Sequence, residues 1–484
     1  MNLKVISRNV GTALLVSALF MFLSIIVSMM NGNDSALSAL IISFIITFSV
    51  GIFPFIFVKR TPNISLKEGY LIIVLSWVLS FIFGMLPYVL WGGPFTVVNA
   101  WFESVSGFTT TGATILENVE GLPRSLLFWR SSTHFIGGLG VMVFLLLIIP
   151  SSSPVKLRLS NMELSSLSKE GYRKQSNRIV YIFTIVYLAM NVSSFILYRI
   201  AGMSTFDAIN HAFSVSATGG FSTKNTSIGY FNSPAINFIT ILFMLMSSTH
   251  FGITYMIFAT RSLKPLNNPV LKYYLGLLIT FSIMVAMSLK FHGICTSWDS
   301  AFMDAVFQVI CYASTTGFAI TDNATWPIFP SVILVVAGMQ CGMAGSTTGG
   351  LKSDRILLLF KSIRRHLRMS VSPTSVLGIK MGKNMMKDED VYPHVFYVAV
   401  FFLLAVASYL LLLLFCENDS NALSGTIATI CNVGPGLGEI GSMGNYNLEP
   451  VPAKIIYTVN MLLGRLEIYP VMAVVLMILH PKNK

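Results

Sequence analysis

The chain has 484 residues, of which 54% are hydrophobic and only 11% are charged. Because soluble domains carry about 25% charged residues, this composition excludes a soluble globular protein, and its abundance of apolar residues excludes a disordered chain. The net charge of +12 is therefore first a sign of membrane orientation rather than of nucleic-acid binding, and the five cysteines lack the spacing of a zinc site.

Stretches long and apolar enough to cross a bilayer recur along the whole chain. A membrane-spanning helix needs about 20 mostly apolar residues, and runs of this kind predict an all-α polytopic membrane protein with about ten transmembrane helices. The predicted spans lie near 9–30, 37–58, 69–91, 124–149, 178–200, 233–260, 270–291, 327–363, 392–415 and 452–480.

Basic residues concentrate in alternate connections between these spans. Loops rich in Lys and Arg stay in the cytoplasm, so the pattern predicts that both termini are cytoplasmic, in agreement with an even number of spans. The intervening loops carry acidic residues such as Asp34, Glu117 and Glu417. The basic clusters are Lys59, Arg60 and Lys67; Lys156, Arg158, Lys169, Arg173, Lys174 and Arg178; Arg261, Lys264 and Lys272; and the segment from Lys352 to Lys387.

Four connections hold moderately apolar segments that are too short to cross, at 97–111, 205–219, 302–316 and 419–433. Each contains Asn or Asp followed by Ala, and because Asn and Asp favour helix N-caps we expect each to begin a short helix. A glycine follows thirteen positions after each of them. The expected caps are Asn99, Asp207, Asp304 and Asn421, and the glycines are Gly112, Gly220, Gly317 and Gly434.

These segments predict re-entrant helices that end at mid-membrane, where a glycine lets the chain turn back. Such backbone is tolerated only inside protein or around a water-filled cavity. Carbonyls from four such turns can replace the hydration shell of a cation, and helix C-termini directed at the cavity also favour a cation. The alternative is a set of interfacial turns or packing glycines; the fourfold recurrence argues against it.

The recurrence divides the chain into four units of helix, pore loop and helix, arranged pseudo-fourfold around one pore. Two N-terminal transmembrane helices occupy 1–66. The four predicted repeats are 67–155, 156–264, 265–388 and 389–484, and the third contains a broken helix.

The loop sequences resemble those of a known family. The run Ser106–Thr114 is similar to the first pore loop of the Trk/Ktr/HKT potassium-transporter superfamily, Asn432–Gly438 resembles its fourth, and Leu463–Ile468 resembles the last helix of TrkH-type subunits. The resemblance implies a potassium-conducting subunit of the bacterial inner membrane that forms a homodimer with one pore per protomer. It also implies a cytosolic TrkA-like ring that binds the nucleotide, so this chain itself carries no organic cofactor.

The resemblance also assigns a selectivity filter to the four loops. Glycine at all four filter positions goes with potassium in this family, whereas serine in the first loop goes with sodium. The filter residues are Thr110, Thr111 and Gly112; Thr218, Gly219 and Gly220; Thr315, Thr316 and Gly317; and Asn432, Val433 and Gly434. Potassium is expected at Thr111, Gly112, Gly219, Gly220, Thr316, Gly317, Val433 and Gly434, with the register of the second loop inferred from spacing.

A glycine-rich interruption lies inside the predicted span 327–363. Each interior glycine costs a helix up to about 1 kcal/mol, so this span is expected to unwind where it lines a cavity. In TrkH-type relatives the matching loop lies under the filter and obstructs the pore, and the alternative is a close helix contact. The resemblance thus assigns a gate to Gly345, Ser346, Thr347, Thr348, Gly349 and Gly350.

Arg465 lies near the middle of the predicted last span. A charge there costs roughly 3 kcal/mol or more and usually faces the protein interior. Counted from the preceding filter glycine, Arg465 and the gate loop lie at similar depth, so we expect them to meet and the arginine to repel cations when the pore is shut. The alternative is a structural ion pair made by Arg465 or Glu467 with a neighbouring helix.

Two further groups stand out. The motif Ser-Ser-Thr-His-Phe occurs twice and contains His134 and His250, for which hydrogen bonding between helices is favoured over lining the cavity. Acidic residues near the outer mouth are expected to concentrate cations. These residues are Glu103, Asp207, Asp299, Asp304 and Glu439.

Two other functions compete with a gated potassium-uptake channel. A symporter coupled to sodium or protons would place a titratable carboxylate at mid-membrane, and only Glu467 comes close to that position. A membrane enzyme would need a cluster of His, Asp, Ser or Cys side chains, and the repeats contain no such cluster.

Overall fold

The computed structural model describes residues 3–59, 65–148, 176–373, 377–382 and 384–480. The boundary between the first two predicted repeats lies outside these residues. Six members of the basic clusters predicted to be cytoplasmic also lie outside them: Arg60, Lys156, Arg158, Lys169, Arg173 and Lys174.

The described part of the chain is built almost entirely of helices. The α-helices are Leu3–Met30, Leu37–Phe57, Leu66–Gly84, Leu86–Trp91, Val97–Phe108, Arg124–Ile148, Ser176–Ile200, Thr205–Ala217, Pro234–Ser248, Phe251–Thr260, Pro269–Phe291, Trp298–Ala313, Ile328–Gln340, Ser353–Val371, Asp388–Leu412, Asp419–Ile430, Val451–Arg465 and Ile468–Leu479. Short 3-10 helices occupy Ser227–Phe231, Lys264–Leu266, Asn323–Thr325 and Gly438–Ile440.

One small sheet departs from the all-α prediction. The strands Ile379–Met381 and Asn384–Met386 form an antiparallel hairpin in which Ile379 faces Met386. Ile379 and Met381 are buried against Val270 and Leu358. The hairpin follows the helix Ser353–Val371, in a segment where the sequence shows basic residues but no long apolar run.

Within the described residues, six helices are long and apolar enough to cross a membrane, and two bent pairs raise this number to eight. The predicted spans 233–260 and 452–480 are wrong as continuous helices, because they bend by 104° and 112° respectively. The helix Ile328–Gln340 is apolar but short, as expected for the interrupted span. The count of ten spans remains a prediction.

Local backbone conformation explains both bends. At the first, His250 adopts extended angles and its Nδ1 accepts a hydrogen bond from the Gly252 N–H at 2.9 Å, which caps a new helix. At the second, Leu466 is the C-cap of the helix that contains Arg465, and Glu467, with φ of +60°, precedes the next helix. Hydropathy averaged over a whole span does not report these changes, since the polar residues at each break are few and apolar residues flank them on both sides.

Four short helices lie where the half-length segments predict them: short helix 1 (Val97–Phe108), short helix 2 (Thr205–Ala217), short helix 3 (Trp298–Ala313) and short helix 4 (Asp419–Ile430). The predicted N-caps are wrong, since Asn99, Asp207, Asp304 and Asn421 lie inside these helices. The observed caps lie further upstream, where a hydroxyl or amide oxygen accepts a backbone N–H. They are Thr96, Ser204, Ser297 and Asn418.

The repeated alanine has a packing role. The alanines that follow the predicted caps are all fully buried, because a small side chain lets neighbouring helices approach the short helices closely. They are Ala100, Ala208, Ala305 and Ala422.

Glycines in the following helices pack directly against the ends of two short helices. A Cβ on Gly137 would lie less than 3.0 Å from the Phe108 carbonyl oxygen, and one on Gly464 would lie equally close to the Ile430 carbonyl oxygen. Both oxygens are backbone atoms at short-helix C-termini, so they have little freedom to move aside. The same contact therefore recurs at the C-terminal ends of short helices 1 and 4.

We therefore expect Gly464→Ala to destabilise the protein by roughly 1–3 kcal/mol, the usual cost of overpacking. Gly276→Ala is the matched control, because Gly276 also lies within an α-helix and a Cβ there would meet nothing within 4 Å. The control should be neutral or slightly stabilising, as alanine favours helix. Thermal denaturation of the detergent-solubilised protein measures both; equal melting temperatures for the two variants would contradict the packing assignment.

Candidate functional site

The site is built on four glycine loops that follow the short helices: loop 1 (Thr110–Gly112), loop 2 (Thr218–Gly220), loop 3 (Thr315–Gly317) and loop 4 (Asn432–Gly434). In every loop the first and third residues have positive φ. The first residue is Thr or Asn with φ between 51° and 56°, and the third is glycine with φ between 78° and 93°. Residues with side chains rarely adopt this conformation, so its recurrence marks one shared backbone path.

The backbone angles align the residues of loop 2 with those of loop 1. Thr218 has φ of +54° and Gly220 has φ of +82°, which aligns them with Thr110 and Gly112. Gly219 therefore corresponds to Thr111, the middle residue of loop 1.

The four loops contact one another in a closed ring. A Cβ on Gly112 would lie less than 3.0 Å from the carbonyl oxygen of Gly219, the middle residue of loop 2. The same relation holds from Gly220 to Thr316, from Gly317 to Val433 and from Gly434 to Thr111. Four backbone oxygens and four glycines thus alternate around one centre, and any side chain at a glycine position would displace a neighbouring carbonyl.

A cavity of about 90 Å³ lies against this ring. All four glycines, Gly112, Gly220, Gly317 and Gly434, line it. In the described part of the chain no group of three or more His, Cys, Asp or Glu side chains is placed to hold a metal ion. The ring itself presents backbone oxygens beside its glycines.

The interrupted span forms an irregular segment, the central loop (Cys341–Lys352), which contains the predicted gate residues 345–350. Its residues 341–351 are buried. The Thr347 hydroxyl donates to the Ser216 and Ser247 carbonyls at 3.2 Å, and the Gly349 N–H donates to the Thr315 hydroxyl at 3.3 Å. The central loop thus touches the end of short helix 2 and the first residue of loop 3.

The break at His250 holds the other end of the central loop. The Phe251 N–H donates to the Gly345 carbonyl at 3.0 Å, and the Met343 N–H donates to the Ser248 carbonyl at 2.8 Å. A Cβ on Gly345 would overlap the His250 ring. The bend at His250 therefore helps to hold the central loop in place.

The structure brings Arg465 and the predicted gate together. The Arg465 guanidinium donates to the carbonyl of Thr347 and, at 2.8 Å, to the carbonyl of Gly137. Arg465 is 6% exposed and is the last residue of its helix, at the break rather than in mid-span. Glu467 instead forms an ion pair with Arg355, whose Nη2 lies 2.7 Å from the Glu467 carboxylate.

Lys352 is a site residue that sequence reasoning missed. It was grouped with the cytoplasmic basic cluster, but its side chain is half-buried and its ammonium donates to the carbonyl of Thr348 and to the Thr348 hydroxyl, the latter at 3.2 Å. Its φ of +69° shows that the chain turns there to begin the next helix. The one available signal was its position two residues after Gly350.

Asn432 joins two glycine loops through its side chain. Its Nδ2 donates to the Thr111 hydroxyl and to the Met461 carbonyl, each at 2.9 Å. Sequence reasoning assigned Asn432 only a backbone role. A Cβ on Gly349 would overlap the side-chain amide of Asn432. Loop 4 and the central loop are therefore in contact.

The predicted acidic mouth is only partly present. Glu103 is fully buried and pairs with Arg130, so its expected role in concentrating cations is wrong. Glu439 accepts a hydrogen bond from Asn421 at 3.0 Å, and Asp207 accepts one from Thr223 at 2.6 Å. Asp299, Glu117 and Glu439 are exposed, and Glu117 also lines the cavity.

The two repeated histidines differ in their contacts. His134 hydrogen bonds through Nδ1 to the Ser214 hydroxyl of short helix 2 at 3.1 Å and stacks on Phe221, in agreement with bonding between helices. His250 caps its own helix instead.

Comparison with known proteins gives concordant matches over nearly the whole chain. The family model "TrkH: Cation transport protein" matches residues 36–484. The Trk system potassium uptake protein TrkH of Salmonella typhimurium is 34% identical over 474 residues, which cover 97% of each chain. The TrkG protein of Escherichia coli K12 is 30% identical over 480 residues, again 97% of each chain. The crystal structure of the potassium transporter TrkH from Vibrio parahaemolyticus superposes with a TM-score of 0.88 at 31% identity and covers 98% of each chain.

Proposed function

The chain belongs to the TrkH family of cation transport proteins, and on that premise we propose that it takes up potassium through the ring of glycine loops. Membership confirms the resemblance inferred from the loop sequences and makes the protein a membrane transporter rather than an enzyme. One observation carries the proposal: four glycines and four carbonyl oxygens alternate in a closed ring beside a cavity. The relatives' names specify potassium.

The ring suits a partly dehydrated cation. Carbonyl oxygens compensate for lost hydration when their spacing matches the ion, and the closely packed loops restrict how far each oxygen can move. The proposed ligands are the backbone oxygens at Thr111, Gly112, Gly219, Gly220, Thr316, Gly317, Val433 and Gly434. The short helices support them, since each presents a negative C-terminal end toward its loop.

Beneath the ring we assign the gate to residues 345–350 of the central loop together with Arg465. The loop contacts loop 3 through Thr315, so an ion that leaves the ring meets it directly. Arg465 and Lys352 bind successive carbonyls of this loop, at Thr347 and Thr348. They place two positive charges in low-dielectric surroundings, where repulsion of a cation is strong. Conduction then requires the loop to leave these contacts.

Assembly and orientation follow the family pattern. We propose a homodimer with one pore in each of the four-repeat chains, both termini in the cytoplasm of the bacterial inner membrane, and a TrkA-like cytosolic partner that binds the nucleotide and moves the gate. The repeats at 67–155, 156–264, 265–388 and 389–484 are part of the same proposal. A proton-coupled symporter is less favoured, because Glu467, the carboxylate considered for that role, is bound to Arg355 at 2.7 Å.

Rubidium and potassium flux into proteoliposomes tests uptake directly. The purified chain should carry potassium down its own gradient, with no sodium or proton gradient present and with its partner added. If potassium moves only when a second gradient is imposed, the symport alternative replaces the channel.

Gly112→Ser should admit more sodium relative to potassium by several-fold. A Cβ there must displace the Gly219 carbonyl and also sits at φ of +81°, so the ring loses the spacing that suits potassium. The measurement is rubidium uptake with sodium as competitor. Gly202→Ser is the control, since Gly202 has positive φ but open space around its Cβ; an unchanged sodium-to-potassium ratio in Gly112→Ser would refute the filter.

Arg465→Ala and Lys352→Ala should each raise flux several-fold in the absence of the partner, because each removes a positive charge and a bond to the central loop. Arg364→Ala serves as control, as Arg364 is an exposed basic residue of the helix that follows the loop. The same proteoliposome assay without partner measures all three. Basal flux that stays at the unmodified level in both gate variants would show that the gate lies elsewhere.

A further inference from the structure

We propose that the buried ion pair between Glu103 and Arg130 is a specificity-determining brace that holds loops 1 and 2 at the spacing required for potassium. This inference rests on the proposed function, since it concerns the same ring. It gives the two residues a positioning role: neither belongs to the glycine loops.

The pair is buried and closely bound. Arg130 Nε lies 2.6 Å from Glu103 Oε1, and the side chains are 3% and 0% exposed. Glu103 is on short helix 1, and Arg130 is on the helix that returns from loop 1. A charged hydrogen bond of this kind is stronger and more directional than a neutral one.

Each partner also holds the chain immediately beyond a ring glycine. Glu103 accepts the Thr114 hydroxyl at 3.0 and 3.1 Å and the Ile115 N–H at 3.1 Å. Arg130 Nη1 donates to the Ser222 carbonyl at 3.0 Å. Thr114 follows Gly112 by two residues and Ser222 follows Gly220 by two, so equivalent points of loops 1 and 2 are joined through one ion pair.

Aromatic packing fixes the guanidinium further. Its carbon lies 3.5 Å from the centroid of the Phe221 ring, a favourable cation–π geometry. His134 stacks on Phe221 with the ring centroids 4.1 Å apart. Phe221 directly follows Gly220, so rotation of loop 2 would disturb the arginine as well.

Neutral hydrogen bonds also connect the other neighbouring loops of the ring. The Gly229 N–H donates to the Ala319 carbonyl at 3.0 Å beyond loops 2 and 3, and the Asn323 N–H donates to the Ser442 hydroxyl at 3.1 Å beyond loops 3 and 4. The Tyr446 N–H donates to the Thr114 carbonyl at 2.8 Å beyond loops 4 and 1. Charged side chains also form hydrogen bonds near the junction of loops 4 and 1, where Glu117 accepts from Asn447 and Lys454 donates to Asn99. Glu103 and Arg130 differ in forming a buried ion pair that joins equivalent points of two neighbouring loops.

The pair has two separable effects. Arg130 lines the cavity beside Gly112 and Gly220, so its charge without Glu103 would repel entering cations. Paired, it is neutralised and acts through position alone. A smaller cation such as sodium needs the carbonyls to move inward, and a brace between adjacent loops opposes that movement.

Three variants of the full chain separate these effects in the proteoliposome assay. Glu103→Gln should lower total cation flux, because the arginine is left uncompensated, and raise the sodium-to-potassium ratio. The double variant Glu103→Gln with Arg130→Met removes both charges, so flux should recover while the ratio stays several-fold above that of the unmodified protein. Thr114→Val removes one contact of Glu103 without exposing a charge and should raise the ratio less.

The matched control is the double variant Glu467→Gln with Arg355→Met. That pair has the same residue types, a 2.7 Å separation and an arginine 3.8 Å from the Tyr397 ring, but it lies at the broken last helix. Its sodium-to-potassium ratio should equal that of the unmodified protein. An equal rise in the control would overturn the proposal, because it would trace the effect to the general loss of a buried ion pair.

Gly112→Ser distinguishes failure of this inference from failure of the proposed function. If Gly112→Ser alters the ratio while Thr114→Val and the Glu103/Arg130 double variant, both monodisperse, keep the ratio of the unmodified protein, the filter stands and the brace is refuted. If none of these variants alters the sodium-to-potassium ratio, the ring is not the selectivity filter, and both the proposed filter and the brace are refuted.

Discussion

Lack of space for a Cβ atom between the four glycine loops is the constraint on which the rest of the structure depends. Each glycine faces the carbonyl of the next loop at a distance that no side chain tolerates. The backbone of each loop must therefore be positioned accurately at the centre of the ring. The capped short helices, the buried alanines and the glycine contacts behind them provide this accuracy, because closely packed interiors transmit displacement instead of absorbing it.

Burial also constrains the charged side chains in the protein around the ring. Buried ionic groups are costly unless they are bound, and the described ones have defined partners. Glu103 holds Arg130, Glu467 holds Arg355, and the Lys454 ammonium donates to Asn99 and to the Asn447 carbonyl. Arg465 and Lys352 differ in that they bind backbone oxygens of an irregular loop. Such bonds can be exchanged for others, as the proposed gate requires.

The sequence was informative at positions where only one residue type can adopt the required backbone conformation. The spacing of Gly112, Gly220, Gly317 and Gly434 predicted the positions of the loops, because their backbone requires positive φ and no Cβ. The N-caps were missed because another Ser, Thr or Asn lies three or seven residues before each predicted cap, and only the fold selects between the two. The bend at His250 was missed because the polar run that ends there is short and apolar residues flank it on both sides.

Side-chain partners were less accessible to sequence reasoning. Lys352 looks cytoplasmic when basic residues are counted along the chain, yet the chain returns to the interior at that point. Glu103 looks like a mouth residue until Arg130, 27 positions away, is brought against it. In both cases the decisive information is three-dimensional proximity, which composition and spacing along the chain do not contain.

The four loops belong to one polypeptide, and this has a genetic consequence. In an assembly of identical subunits a single codon change alters all four quarters of a pore at once. Here it alters one quarter, as the differing junctions show: an ion pair supports loops 1 and 2, while Asn323 and Ser442 support loops 3 and 4. Mutation can therefore adjust the proposed pore one loop at a time, and the four loops are free to diverge from one another.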